Sequence, residues 1–135
     1  MIARGSKGAT IQPDMAIHEI NPDFFDCVLV VGGPGSVALS EDQGVINLLI
    51  EANKREKIVG AICLGPLSLA KAGILANKNA TVYPEPPAIR TIRDNAAIYV
   101  KEPVVIDGKI ITADGPGSAG KFGTEIVKLL KGKTF

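Results

Sequence analysis

The sequence changes character at Cys63. Before it runs Ile58-Val59-Gly60-Ala61-Ile62, a short apolar stretch; after it come Leu64, Gly65 and Pro66. The stretch reads as a buried strand, and Pro66 to Ala72 reads as a helix. A thiol at that corner lies at the carboxyl edge of a sheet, where open α/β folds bind ligands. It also faces the positive end of the helix, which favours the thiolate. Ala61 and Gly65 flank it two residues either way. That is the small-x-nucleophile-x-small spacing of a nucleophile elbow, with cysteine in place of serine, and so sharp a bend needs small neighbours. A buried cysteine packed as a small hydrophobe fits the same residues.

Nucleophilic catalysis also needs donors for an oxyanion and a group that moves protons. The candidate donors are the backbone N–H groups of Leu64 and of Gly33, the latter in the loop Gly32-Gly33-Pro34-Gly35-Ser36 that ends a neighbouring apolar run. Pro34 has no N–H to offer. The glycines equally suit a tight turn with no ligand. Tyr83 and Asp114 each end a strand and could border the same crevice, though strand-end polar residues commonly serve turns. Leu64 cannot titrate. His18 lies in a loosely patterned segment and reads as a surface histidine, and Glu41 and Asp42 suit the start of the following helix. Gly33 to Ala38 fits the G-x-G-x-x-G/A dinucleotide pattern, but the next strand ends in Ile62-Cys63 without the acid that would hold a ribose. No metal-ligand spacing is present, and no cofactor is expected.

These groups must be positioned by an alternation of strands and helices. Residues 1–25 are loose, with Met15 to Ile20 as an edge strand or extended loop and a turn at Asn21-Pro22-Asp23. Cys27 to Val31 reads as a buried strand. Asp42 caps a helix to about Arg55, with Val45, Leu48, Leu49 and Ala52 as its apolar stripe. Ala80 to Tyr83 reads as a short strand, the prolines after it as a stiff loop, and Ala88 to Asp94 as a helical turn. Ala97 to Val100, Val104 to Ile106 and Ile110 to Thr112 read as strands, with Asp107-Gly108 as a hairpin signal. Ser118 to about Leu130 is a last helix that buries Phe122, Ile126, Leu129 and Leu130. The pattern predicts a mostly parallel sheet covered on both faces, with a hairpin at its edge.

The 135 residues suit one domain over 1–135, with no linker or repeat. The net charge of +1 gives no electrostatic case for nucleic acid or acidic lipid, and 4 % aromatics gives no base-stacking platform. No apolar run reaches membrane-spanning length and no signal-peptide pattern opens the chain, so a soluble cytoplasmic protein is expected. Cys27 and Cys63 belong at opposite ends of the sheet, which disfavours a disulfide between them.

Ala61-Ile62-Cys63-Leu64-Gly65-Pro66 resembles the A-I-C-x-G-P elbow of the DJ-1/PfpI superfamily. Asp26 to Gly33 is similar to the family strand that ends in a Gly-Gly oxyanion loop, with Val31 where proline is usual. Asp14 to Phe25 is similar to the segment leading into that strand. Val104 to Thr112 resembles the late hairpin, and Gly115-Pro116-Gly117-Ser118 the entry to the last helix. The resemblance implies a flavodoxin-like three-layer α/β sandwich, commonly dimeric or hexameric, and a strained, reactive Cys63 with oxyanion donors at Gly33 and Leu64. It implies thiol chemistry on small reactive carbonyls of the glyoxalase or deglycase type. Alternatives are an intracellular cysteine peptidase, a redox-sensing stress-response protein without catalysis, or an interaction subunit.

The sequence departs from that family at informative places. Leu64 stands where many members have histidine, Tyr83 where one branch has histidine, and Asp114 where that branch has arginine. The family opens with a central strand, a helix and a second strand, and a glutamate after the first strand shares a proton with the cysteine. Here Met1 to Gly5 looks like the end of the second strand, so about one β-α unit, roughly 30 residues, has no counterpart. An open sheet edge would result. The expectation is a misplaced start, or a truncated or cleaved chain whose front piece is supplied separately, with completion by a second chain or a rebuilt smaller sheet as alternatives.

Overall fold

The computed structural model describes residues 2–5 and 7–132. In chain order the elements are β1 (Ala3–Arg4), β2 (Thr10–Ile11), β3 (Cys27–Val31), α1 (Ser36–Leu39), α2 (Gln43–Lys54), β4 (Ile58–Ile62), α3 (Pro66–Lys71), β5 (Asn79–Ala80), α4 (Pro86–Asp94), β6 (Ile98–Tyr99), β7 (Val104–Asp107), β8 (Ile110–Ala113) and α5 (Ala119–Lys131). The main sheet has the order β3-β4-β8-β7. β3, β4 and β8 run parallel, and β7 pairs antiparallel with β8. The expected α/β sandwich with a late hairpin therefore forms.

β4 is buried at all five positions because helices cover both its faces. Val59 and Ala61 point toward α2, α3 and α4, into a core with Leu49, Ala52, Leu69 and Ile92. Ile58 and Ile62 point the other way, onto Ile111, Phe122 and Ile126 under α5. Asp42 caps α2 as expected, its Oδ1 accepting from the Val45 N–H at 3.1 Å. The last helix buries Phe122 and Ile126, while Leu129 and Leu130 are half-buried at its far end.

Several expectations are corrected. β3 forms over the expected residues but is an edge strand, not a buried one: Leu29 is 45 % and Val31 72 % exposed. Their face is the α5 side, and α5 packs over β4 and β8. Met15 to Ile20 is a 3-10 turn, Ile17–Glu19, in which the Glu19 carboxylate accepts from the Ala16 N–H at 3.0 Å. The first residues do not extend the main sheet; Ala3–Arg4 pairs with Thr10–Ile11 as a separate antiparallel ribbon. Met1, at the head of that segment, lies outside the described residues.

The strand expected over Ala80 to Tyr83 ends at Ala80. Thr81 donates its N–H to the Thr112 side chain at 2.9 Å, and Tyr83 donates its own to the Cys63 carbonyl at 2.8 Å, so neither continues a ladder. The expected strand at Ala97 to Val100 is confined to β6, which pairs with β5. The proline-rich loop and helical turn are one helix, α4, with prolines in its first turn, where their missing N–H groups cost nothing. The hairpin places Asp107 opposite Ile110, so Gly108-Lys109 makes the turn, with Gly108 at φ 64°.

Candidate active site

Cys63 follows the last residue of β4 and takes a left-handed conformation, φ 63°. Only glycine adopts that region without steric cost, so the bend at Cys63 is strained. Backbone bonds hold it from two sides: its N–H donates to the Ala113 carbonyl at 2.9 Å, and its carbonyl accepts from the Tyr83 N–H. The Gly65 N–H closes the corner onto the Ile62 carbonyl at 2.9 Å. The cysteine is half-buried and packs at the border of the α5-side core. It forms no disulfide with Cys27, which sits opposite Ile58 at the other end of the parallel pair.

Two glycines explain why this corner can exist. A Cβ on Gly65 would lie 2.3 Å from the Val30 carbonyl oxygen and 2.9 Å from that of Ile62. A Cβ on Gly32 would lie 2.5 Å from both the Ile62 oxygen and the Leu64 nitrogen. The loop after β3 and the elbow after β4 therefore touch backbone to backbone. That contact brings the Gly32-Gly33 stretch beside the Leu64 N–H.

Gly33 and Leu64 flank the same corner but differ in engagement. The Gly33 N–H donates to the Ser36 hydroxyl at 3.1 Å, and the Ser36 N–H donates back to the Gly33 carbonyl at 2.9 Å. Ser36 is buried. The sequence reading missed its hold on Gly33, although a serine three residues after the glycine is the local signal for such a bond.

Tyr83 and Asp114 are both brought to the elbow. Tyr83 is 41 % exposed, and its ring faces Gly115, where a Cβ would lie 3.6 Å from Cδ1. Asp114 directly follows Ala113, the acceptor for Cys63. Its N–H donates to the Pro103 carbonyl at 3.0 Å, and its carboxylate accepts a short hydrogen bond from the Ser118 hydroxyl. Ser118 is a second residue the sequence reading did not single out as part of the site.

His18 is not at the elbow. It lines a separate cavity of about 280 Å³ with Ile20, Asn47, Leu48 and Glu51, between the N-terminal segment and α2. Among the described residues no group of three or more His, Cys, Asp or Glu could hold a metal ion. No described helix is long and apolar enough to cross a membrane.

A thiol thus stands on a strained strand-to-helix corner, with a glycine loop packed against it. The model of the DJ-1/PfpI family matches residues 2–129. The chain belongs to that family. It is 42 % identical over 128 residues to the uncharacterized protein MJ0967 of Methanocaldococcus jannaschii, covering 94 % of this chain and 62 % of that one. It is 35 % identical over 131 residues to the glutathione-independent glyoxalase DJR-1.2 of Caenorhabditis elegans, covering 94 % and 67 %. A solved ThiJ/PfpI domain protein from Brachyspira murdochii superposes with a TM-score of 0.91 at 31 % identity, over 98 % of this chain and 76 % of that one. The chain thus spans less than two thirds of the archaeal relative's length.

Proposed function

We propose that this protein carries out cysteine-dependent chemistry on small reactive carbonyls, of the glyoxalase or deglycase type, in the cytoplasm. The observation that carries the proposal is the positive φ of Cys63, kept in place by the backbone contact between Gly32 and the elbow. Glu56, Asn77 and Ala96 also take positive φ; Cys63 differs from them in standing at the carboxyl end of β4, where parallel α/β sheets bind ligands. The glyoxalase name of the nematode relative supports the same reading.

In this proposal the Cys63 thiolate adds to the aldehyde carbon of a 2-oxoaldehyde and forms a hemithioacetal. The Leu64 N–H stabilises the oxyanion, joined by the Gly33 N–H once it turns from Ser36. A proton then moves from the former aldehyde carbon to the neighbouring carbonyl carbon through an enediol, which leaves a thioester on Cys63. Water hydrolyses the thioester to a 2-hydroxy acid and restores the thiol. The net change is addition of one water to the dicarbonyl. In this reading the Tyr83 hydroxyl hydrogen-bonds the substrate. The carboxylate that carries the proton is assigned to an added segment or partner chain, in line with the glutamate that the family resemblance implies.

The exposed edge and apolar face of β3, at Leu29 and Val31, favour a companion reading. An added strand, from a second copy or a separate chain, would pair there and complete the site. The peptidase alternative needs a strong general acid for the leaving amine, and Leu64 stands where many relatives have histidine.

The test is turnover of methylglyoxal by wild type and by Cys63→Ala, with the native mass of the same preparation. Turnover that disappears in Cys63→Ala supports the proposal. No turnover, with oxygen added to Cys63 by mild peroxide, supports the redox-sensing alternative. A monomer inert in both assays overturns both.

A further inference from the structure

Asp114 puts a carboxylate with no ion-pair partner among the described residues at the elbow. The register of β4 and β8 pairs Ile62 with Ala113, and the Cys63 N–H donates to the Ala113 carbonyl. One residue past that pair, Cys63 and Asp114 leave the two neighbouring strands at the same edge of the sheet. Its carboxylate takes a hydroxyl, that of Ser118, and among the described residues no Lys or Arg forms an ion pair with it. The charged side chains that follow on the adjoining segments are of both signs: Glu85, whose N–H donates to the Tyr83 carbonyl, Glu102, next to the Pro103 that accepts from Asp114, and the exposed Lys121 in the first turn of α5. Lys101 is the nearest basic residue in that second segment, and it is exposed.

We infer that Asp114 is a specificity-determining residue that filters electrophiles at Cys63 by charge. It admits neutral and cationic carbonyls and turns away those that carry a carboxylate or phosphate. The inference rests on Cys63 being the reacting thiol, and it adds a substrate class to that reading. Asp114 acts through its field. A carboxylate near the approach path attracts a cation and repels an anion, and over a few ångströms ordinary salt does not screen it out.

The experiment uses two methanethiosulfonates of similar size, one carrying trimethylammonium and the other sulfonate. Each transfers its thioalkyl group to the Cys63 thiolate, forming a mixed disulfide and releasing methanesulfinate. Rates at Cys63 are read by peptide mass, which separates it from Cys27, and are normalised to a small free thiol. The cationic reagent is expected to react about tenfold faster in wild type, from unit charges in a medium between protein and water. Asp114→Asn brings the ratio close to one, while Asp114→Glu and Ser118→Ala keep most of it. A wild-type ratio near one, or a ratio unchanged in folded Asp114→Asn, overturns the filter. No carbonyl turnover is needed, so an enzyme inert toward methylglyoxal with a high ratio leaves the filter standing and removes only the glyoxalase reading. Cys63 inert to both reagents overturns the reactive-thiol reading and the filter together.

Discussion

Gly65→Ala should be far more damaging than its chemistry suggests. Residue 65 has an ordinary right-handed backbone, φ −55°, so alanine meets no conformational objection there. The objection is spatial. The new methyl would sit 2.3 Å from the Val30 oxygen, 2.9 Å from the Ile62 oxygen and 3.1 Å from the Val30 carbonyl carbon. Comfortable contacts of this kind need about 3.5 Å. All three atoms are backbone, and the parallel ladder that pairs Val30 with Ala61 and Val31 with Ile62 ties them in place. Relief therefore requires the end of β3 to move away from the elbow by about an ångström. Overpacking of this kind costs about 1–3 kcal/mol, and the fixed backbone argues for the upper end, about 3 kcal/mol.

Gly33→Ala is the control. A Cβ there meets nothing within 4 Å, and the loss of unfolded-state freedom stabilises by about 0.4–1 kcal/mol. Urea unfolding followed by circular dichroism reads the difference. With a slope of about 2 kcal/mol per molar, the Gly65→Ala midpoint falls by about 1.5 M, while that of Gly33→Ala holds or rises. A Gly65→Ala protein within about 0.5 kcal/mol of wild type would refute the steric reasoning. Equal damage from both variants would refute it as well.

Three further outcomes follow from single residues. Cys63→Gly should be more stable than Cys63→Ala by about 1 kcal/mol, because only glycine relaxes at φ 63°; equal melting temperatures would remove the strain from the account. Thr81→Val should stabilise by about 1 kcal/mol in denaturant titration, because the buried Thr81 hydroxyl has no hydrogen-bond partner. The hydrogen bond from Arg55, then its charge, hold the exposed Asp23 carboxyl below its ordinary 3.8. A depressed folded value gives a small stabilisation that is present above pH 3.8 and lost as the pH falls through the folded value. Asp23→Asn should therefore flatten the acid limb of melting temperature against pH in low salt, and an unchanged limb would count against the pair.

The elbow was legible because its chemistry is local. An apolar run that stops at a cysteine with small residues two places either side leaves little choice of geometry, and Gly65 meets the Val30 backbone where that spacing requires clearance. The Asp42 cap and the late hairpin were legible for the same reason. The rest depends on distant partners. A run such as Cys27 to Val31 reads alike at the centre or the edge of a sheet, so the exposure of Leu29 and Val31 was not visible in it. Thr81 leaves its ladder because Thr112, thirty-one residues away, offers a side-chain oxygen. Pro86-Pro87 suits a stiff loop or a first helical turn equally, and packing of Ala88 and Ile92 into the core selects the helix. That Asp114 ends next to Cys63 follows from the pairing of β4 with β8, which no local pattern states.

The contact at Gly32 and Gly65 contains no side-chain atoms. Main chain rests on main chain, so the spacing between the two amides does not depend on any rotamer. Positions 64, 83 and 114 can then change identity without loosening the frame. On such a scaffold the corner at Cys63 is kept as shape, while the side chains around it are free to differ.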